Sequence, residues 1–178
     1  MTFLSSTESF SLDGETARYC LSLGVPPAVL EAVGVLEGGK RPYPYLIRVN
    51  GSFRVRVPKA VAREISPNVF DCRQESICRA LALALITRGV KNLDLGYYQI
   101  NYLHAPANGI DRKELLEKAF NLKEEGKLAC RILADRLKRY GYNANAVATY
   151  HSLTPERNYA YAVRFYRVYR KILKRKKN

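Results

Sequence analysis

The stretch from Leu95 to Asn101 reads "LGYYQIN" and decides how this chain is interpreted. A glycine is followed by two tyrosines and then by two amides, Gln99 and Asn101, with one isoleucine between them. Amides two residues apart point apart on a helix, whereas in a strand they share one face. Neither placement is an ordinary way to build an apolar core. The stretch therefore predicts either a surface that binds a polar ligand or a tight turn held by side-chain amide hydrogen bonds.

The length of 178 residues suits one domain with a hydrophobic core and is short for two. A hydrophobic fraction of 47% is ordinary for a globular protein and argues against general disorder. Since no run of about 18 apolar residues occurs, we expect no membrane-spanning helix. The first 20 residues contain neither a basic n-region nor an apolar h-region. We expect no secretory signal peptide within this chain, and removal of a leader would leave the same start.

The net charge is +14, from 30 Lys and Arg against 16 Asp and Glu. Such a surface favours polyanions, which include nucleic acid, anionic lipid and the acidic peptides and lactyl carboxylates of bacterial cell wall. Part of the charge lies in "KILKRKKN", residues 171–178, which is equally well explained as a solvated end. Charge alone does not choose a partner.

Four cysteines allow three pairings if all are oxidised, and they are Cys20, Cys72, Cys78 and Cys130. Within one continuous helix the Cα atoms of Cys72 and Cys78 would lie about 9 Å apart along the axis, too far for a bridge. A bridge would require a bend around "DCRQESIC", and we favour buried free thiols. His104 and His151 lie in separate segments without zinc-site spacing, so we expect no metal.

Apolar periodicity predicts a mainly α, α+β protein with one helical domain. The predicted helices are "PPAVLEAVGVLEGG", "CRQESICRALALALITRG", "EEGKLACRILADRLKRYG", "NANAVATY" and "TPERNYAYAVRFYRVYRKIL". Thr154 is the expected N-cap of the last helix, with Pro155 at its first position. "LIRVNGSFRVRV" alternates apolar and polar residues on both sides of Asn50-Gly51, which predicts a small β-hairpin. We divide the chain into a flexible segment at 1–14, a domain at 15–170 and a basic tail at 171–178.

Glu37 stands at the end of the first long helix, on its apolar side. Val33 and Leu30 precede it by four and seven residues, whereas Glu31 falls on the opposite side, where a solvated glutamate is expected. Desolvation and the negative end of the helix dipole would both favour the protonated carboxyl. A glutamate that stays protonated near neutral pH is what a glycosidase needs as its general acid. The alternative is a side chain at a frayed helix end that turns out to water.

Three segments in this order resemble the lysozyme-like lytic transglycosylases. They are "VLEGG" with Glu37, "GYYQIN" with Gln99 and Asn101, and "AVATYHS" with Tyr150. The family motifs run glutamate–Ser/Gly–Gly, then Gly-Leu-Met-Gln-Ile-Asn, then Ala-x-Ala-Tyr-Asn. The most similar branch is that of the cell-wall-opening transglycosylases associated with type IV secretion and conjugation machinery. The resemblance covers roughly residues 15–165 and implies a lysozyme-like fold with a glycan-binding groove.

The resemblance also implies roles for these residues. Gln99 and Asn101 would bind sugar hydroxyls and acetamido groups, while Tyr97 or Tyr98 would offer apolar surface to sugar faces. Tyr150 matches the family tyrosine that helps to position the catalytic acid.

The chain departs from the family pattern at each motif. Gly38 replaces the commoner serine after the glutamate, and two tyrosines replace Leu-Met. His151 and Ser152 stand where an asparagine is expected, so that His151 is either a neighbour that supports the site or a helix cap. These changes bear on the choice of glycan more than on the reaction.

The implied reaction uses one carboxylate and no cofactor. Glu37 would protonate the oxygen between N-acetylmuramic acid and N-acetylglucosamine, and would then act as base on the C6 hydroxyl of the same muramoyl sugar. The product is a 1,6-anhydromuramoyl end. Asp94 is the one carboxylate near the amides that could act as a second catalyst, which would make the protein a lysozyme-type hydrolase. We favour a capping or loop role for Asp94.

The implied partners are peptidoglycan strands and a secretion or conjugation complex, and the implied compartment is the periplasm or cell envelope. The rival from another class is a nucleic-acid-binding module, because 13 tyrosines and a Tyr/Arg-rich last helix suit base stacking and phosphate contacts. That helix carries no recognisable DNA-reading motif, so we expect nucleic acid not to be the partner. A further alternative is a catalytically inactive relative that only binds glycan.

Overall fold

A computed structural model describes residues 12–52 and 54–177. Within these ranges, the helices are α1 (Gly14–Ser22), α2 (Pro27–Gly38), α3 (Glu75–Thr87), α4 (Arg112–Lys118), α5 (Leu122–Tyr140), α6 (Ala144–Ala148) and α7 (Pro155–Arg175), with a 3-10 turn at Pro106–Asn108. The strands are β1 (Leu46–Val49), β2 (Arg63–Ser66), β3 (Val69–Asp71), β4 (Leu93–Leu95) and β5 (Ile100–Asn101). The predicted mainly α, α+β class is confirmed. Neither α1 nor α4 is predicted by the sequence patterns above.

Helix α2 lies at the centre of the helical part and packs against α1, α5 and α7. It begins at Pro27, which needs no N–H partner at this position, and it ends at Gly38, before Gly39 with φ 94°. Because α2 is covered on more than one side, its burial is not limited to one stripe. Glu31 is 2% exposed and its carboxylate pairs with Lys176. The prediction of a solvated Glu31 is therefore wrong.

The sheet has five strands in the order β2-β3-β1-β4-β5, and every pairing is antiparallel. Strand β1 pairs with β3 and β4, so Ile47 stands opposite Phe70 on one side and Leu95 on the other. The predicted hairpin about Asn50-Gly51 is wrong, because 54–57 form no strand. A connection of 13 residues carries the chain from β1 to β2, and the tight hairpin instead joins β2 to β3 at Pro67-Asn68.

All four cysteines are paired, and the prediction of free thiols is wrong. Cys20 of α1 bonds to Cys130 of α5, and Cys72 bonds to Cys78, with Cα separations of 5.4 and 5.2 Å. The second bridge forms because the predicted helix from Cys72 does not exist in full. Cys72 follows β3, the chain turns at Arg73 with φ 65°, and α3 begins only at Glu75. This is the bend that the sequence argument required.

Helix α7 does not stop at the boundary that the sequence suggested. It continues through Arg175, and Ile172 is buried against the domain. Residues 171–177 therefore extend the last helix and its end, and Asn178 lies outside the described residues. Of the predicted flexible segment 1–14, residues 1–11 also lie outside the described residues. Within its remaining part, Asp13 caps α1 by accepting hydrogen bonds from two backbone N–H groups.

Among the described helices, none is by itself both long and apolar enough to cross a membrane. Helices α1 and α2 meet the length and composition criteria only when taken together, and they are bent by 114°.

Candidate functional site

A cleft of about 450 Å³ lies between the sheet, the end of α2 and the segment that joins α6 to α7. Most of the site residues proposed from sequence line it, namely Glu37, Asp94, Gln99, Asn101, Tyr150, His151 and Ser152. They come from three separate parts of the chain and from strand, turn and helix ends. The fold thus brings together the three motifs on which the resemblance rests.

Glu37 reaches the cleft from the last turn of α2. Its side chain is 9% exposed, and Oε1 is buried without a hydrogen bond among the described residues. Nδ1 of His151 lies 3.3 Å from that oxygen. A buried carboxyl oxygen with spare acceptor capacity is a suitable group to exchange a proton with a ligand in the cleft.

The imidazole of His151 is held by stacking. It lies parallel to the ring of Tyr161 on α7, with ring centroids 4.8 Å apart and an angle of 14° between the planes. Burial raises the pKa of Tyr161, and the charge of the nearby Glu37 carboxyl adds to the effect. The phenol therefore stays neutral and faces Glu37 as a potential donor, although its oxygen does not reach a well-formed hydrogen bond. Sequence analysis missed Tyr161.

The turn that follows β4 explains how Gln99 is oriented. Gly96 and Gln99 both have positive φ, at 75° and 51°, and Nε2 of Gln99 donates to the carbonyl of Gly96 at 2.6 Å. Its Oε1 is buried, borders the cleft and has no hydrogen-bond partner among the described residues. The side-chain nitrogen of Gln99 therefore holds the turn, while its buried oxygen keeps free acceptor capacity at the edge of the cleft.

The side-chain amide of Asn101 uses most of its hydrogen-bonding capacity within the protein. Its Nδ2 donates to Asp94 at 2.7 Å and to Asn92 at 2.8 Å, and its Oδ1 accepts from the backbone N–H of His104. Only one lone pair of Oδ1 remains for a ligand. Asn101 thus organises this wall of the cleft more than it offers free hydrogen-bonding groups.

Asp94 lies in β4, directly opposite Asn101 of β5. Burial raises the pKa of Asp94, hydrogen bonds from side-chain amides oppose this, and the charge of Glu37 adds to the increase. The preferred interpretation of Asp94 as a cap of loop amides is wrong, since its recorded partner is a side-chain amide. Asp94 is instead a second carboxylate in the cleft of Glu37.

The rings of Tyr97 and Tyr98 do not offer a platform to a ligand. Both residues are 0% exposed, and neither lines the cleft. Tyr97 packs against Gly34 and Gly38 of α2, and its hydroxyl donates to the carbonyl of Gly39. The prediction that either ring contacts a sugar face is wrong, because both rings fill the interior beside α2.

Glu125, which the sequence argument missed, holds this pair of tyrosines in place. Its two carboxyl oxygens accept from the backbone N–H groups of Tyr97 and Tyr98, each at 2.8 Å. The residue is 0% exposed, and burial raises the pKa of Glu125 although the two hydrogen bonds oppose the shift. The signal was present, because Glu125 lies on the apolar face of α5 with Leu128 and Ile132.

Tyr150 links the two sides of the site. Its hydroxyl donates to the carbonyl of Tyr98 at 2.9 Å, so that the α6 end is fixed to the turn that carries Gln99. Burial raises the pKa of Tyr150, with further contributions from the carboxylates of Glu125 and Glu37. The phenol is therefore neutral and acts as a donor near the candidate acid.

The cleft also contains basic residues that the sequence argument did not single out. They are Arg48 of β1, Arg136 of α5 and Arg157 of α7, together with His104. Only Glu37 and Asp94 bring negative charge to the lining. The cleft is therefore suited to a ligand that carries anionic groups.

A larger hollow of about 600 Å³ lies between α6 and α7, away from this site. Exposed Tyr159 and Tyr166 border it, and the guanidinium of Arg170 lies 5.8 Å from the centre of the Tyr166 ring. No carboxyl group lines it, so it offers no acid for glycoside cleavage. Among the described residues, no three His, Cys, Asp or Glu side chains gather so that they could hold a metal ion.

None of the protein family models, curated proteins or solved structures compared with this chain matches it.

Proposed function

We propose that this protein is a lytic transglycosylase with a lysozyme-like fold, and that it cleaves the β-1,4 bond between N-acetylmuramic acid and N-acetylglucosamine in peptidoglycan. One observation carries the proposal. Glu37 presents a buried carboxyl oxygen, which accepts no hydrogen bond from the described residues and lies 3.3 Å from Nδ1 of His151, to a cleft that also contains the free amide oxygen of Gln99. The ordered motif resemblance supports the same assignment, since its three segments meet in this cleft.

In the proposed reaction, Glu37 donates its proton to the bridging glycosidic oxygen as the bond to C1 of the muramoyl sugar breaks. The resulting carboxylate then removes the proton of the C6 hydroxyl, whose oxygen bonds to C1. A 1,6-anhydromuramoyl end forms, Glu37 regains its proton, and no water is consumed. Tyr150 maintains the turn of Gln99 opposite the acid, and Gln99 accepts a hydrogen bond from a sugar N–H or hydroxyl.

The proposed compartment is the periplasm or cell envelope. Two disulfides support this, because such bonds persist in oxidising compartments and are rare in the cytosol. The net charge of +14 would hold the enzyme near anionic peptidoglycan, and local wall opening for a secretion or conjugation complex is the role that the resemblance implies.

A lysozyme-type muramidase is the second candidate, and Asp94 favours it. Its carboxyl lies in the same cleft as Glu37 and is close enough for the charge of Glu37 to affect its pKa. In a muramidase this group would activate water or stabilise the positive charge at C1. Asn101 holds the Asp94 carboxyl at 2.7 Å, which would orient it for either role.

The test is digestion of isolated peptidoglycan followed by mass spectrometry of the soluble muropeptides. We expect anhydromuropeptides from the wild type and a loss of at least about a thousandfold in Glu37→Gln, since the only acid and base is removed. Glu156→Gln, at an exposed position outside the cleft, is the matched control and should keep the wild-type rate.

Products heavier by one water would instead identify a muramidase, and Asp94→Asn should then be nearly inactive. If the wild type releases neither product, or if Glu37→Gln keeps its activity, the proposed function is wrong.

A further inference from the structure

Arg136 is a buried cation on the wall of the candidate cleft. It lies on α5, is 9% exposed, and borders the cleft together with Ala107 and Asn108 of the 3-10 turn. A guanidinium carries five N–H donors and remains charged at all relevant pH values. Removing it from water is unfavourable unless acceptors surround it.

The acceptors around Arg136 are too few. Nη2 donates to Oδ1 of Asn108, and Nη1 lies 3.8 Å from a carboxylate oxygen of Asp135, beyond hydrogen-bond distance. Nε is buried and has no hydrogen bond among the described residues. Asp135 is also shared, because it accepts from Arg139 at 3.0 Å. The guanidinium thus lacks a carboxylate of its own.

Arg131, one and a half turns earlier on the same helix, has the hydrogen-bond partners that Arg136 lacks. Nη1 contacts both carboxyl oxygens of Glu114, at 2.8 and 2.9 Å, and Nη2 donates to the carbonyl of Gly109. Both arginines therefore tie α5 to the segment at 104–110, but only Arg136 borders the cleft and lacks a close anionic partner.

We propose that Arg136 forms a carboxylate-binding subsite, so that the cleft selects glycans that carry a negative charge. The identity of the ligand rests on the proposed function. Arg48 and Arg157 border the same cleft and add to the positive potential. A carboxylate at the exposed edge of the guanidinium accepts the hydrogen bonds that Asp135, 3.8 Å away and shared with Arg139, does not.

Peptidoglycan offers this carboxylate from two sources. One is the lactyl group of N-acetylmuramic acid, which is free only where the stem peptide has been removed. The other is the stem peptide itself, whose acidic residues and C-terminus carry free carboxylates. The chemistry is the same in both cases, and the substrate used in the test distinguishes them.

The test measures binding by calorimetry in the Glu37→Gln protein, so that no ligand is cleaved during the titration. Three probes of equal sugar length are compared: a neutral N-acetylglucosamine hexamer, a peptide-free glycan with free lactyl groups, and the same glycan carrying tripeptide stems. Adding Arg136→Gln should weaken binding of one charged probe by about ten- to hundredfold, as for loss of a charge-assisted hydrogen bond. Binding of the neutral hexamer should change by less than about twofold, because no charge is involved.

Loss confined to the peptide-free glycan assigns the lactyl group, and loss confined to the tripeptide glycan assigns the stem. Arg131→Gln is the matched control, since it disturbs the same segment without altering the cleft, and it should change none of the three affinities. The proposal is overturned if Arg136→Gln weakens all three probes equally or weakens none. Charge-dependent binding by Glu37→Gln, together with no cleavage of peptidoglycan by the wild-type protein, would contradict the proposed reaction while supporting the subsite.

Discussion

Nδ1 of His151 lies 3.3 Å from Oε1 of Glu37, and no other described basic group forms an ionic contact with this carboxyl. The residue that departs from the resembled motif therefore contacts the candidate acid directly. Stacking on Tyr161 restricts the plane of the His151 imidazole, and this helps to keep its contact with Glu37. Of the two sequence interpretations of His151, the structure favours support of the site over a helix cap.

We expect His151→Asn to retain activity within about threefold, because an asparagine amide can still donate toward Glu37. His151→Leu should lower kcat by about ten- to hundredfold, because the polar contact with Glu37 is lost while the packing volume is kept. KM should change little in both variants. Steady-state kinetics on soluble glycan would check this, and equal kcat values for the two variants would show that His151 does not orient the acid.

The carboxyl of Glu125 supports the turn that presents Gln99, and its loss should destabilise the fold. In Glu125→Gln, the amide nitrogen faces one of the two backbone N–H groups and leaves it without an acceptor. We expect the free energy of unfolding to fall by roughly 2–4 kcal/mol.

Urea denaturation would measure this difference, with Glu124→Gln as the control. Glu124 precedes Glu125 on the helix but pairs with Lys127 near the surface, so its replacement should change stability by less than about 1 kcal/mol. Similar stabilities for the two variants would contradict the supporting role of Glu125.

Local sequence patterns predicted five of the described helices and the three segments that line the cleft, but not α1, α4 or the sheet. Pro27 and Gly39 mark the two ends of α2, Gly141 follows α5, and Pro155 begins α7. These ends were predictable because such signals act locally. The strand partners of β1 come from 69–71 and 93–95, and no local pattern reveals such distant pairing. Asn50-Gly51 gave a strong hairpin signal, yet the distant strands pair with β1 instead.

Burial was the least predictable property of the site residues. Tyr98 was expected on a ligand-binding surface and Glu31 on the solvated side of α2. Both are buried, because Tyr98 lies between α2 and α5 and α7 packs over Glu31. Helical projection assumes that each helix has one buried side, and α2 has more than one. Arg136 escaped notice for a related reason, since nothing in its local sequence shows that α5 passes beside the cleft.

Gly34 and Gly38 are required because Tyr97 occupies the space that a side chain would need. A Cβ at Gly34 would lie 2.5 Å from the Tyr97 ring and 3.0 Å from the Tyr98 ring, whereas a Cβ at Gly38 would also overlap the backbone carbonyl of Tyr97. We expect either alanine variant to lose about 1–3 kcal/mol of stability. Tyr97→Leu should largely rescue Gly34→Ala and only partly rescue Gly38→Ala, since the carbonyl remains.

Double-mutant cycles on thermal unfolding would measure the coupling of Tyr97 to Gly34 and that of Tyr97 to Gly38. If Tyr97→Leu fully rescued Gly38→Ala, the tyrosine ring alone would explain the glycine. It would also mean that the serine of the resembled motif is excluded here by Tyr97.

Asp94 should make stability depend on pH. Burial raises the pKa of Asp94, so the folded state keeps the proton to a higher pH than the unfolded chain, where the aspartate value is about 3.9. The contribution of Asp94 to stability is therefore present in acid and lost as the pH rises through its folded value. The Tm of Asp94→Asn, measured relative to that of wild type, should therefore increase by a few degrees as the pH is raised from about 4 to about 7. A difference in Tm that is constant with pH would contradict this.

Lys176 contributes to stability through the helix that carries the candidate acid. Its ammonium pairs with Glu31 of α2, a carboxylate whose side chain is 3% exposed, while the lysine itself is 48% exposed. Lys176→Ala leaves that carboxylate buried without its cation and should lower the free energy of unfolding by about 1–3 kcal/mol. Glu31→Gln removes the charge that needs a partner, so its effect should be smaller. Lys177→Ala is the matched control, because that exposed neighbour forms no recorded ion pair in the part of the chain that the structure describes. Equal stabilities for Lys176→Ala and Lys177→Ala would mean that the end of α7 is only a solvated basic tail.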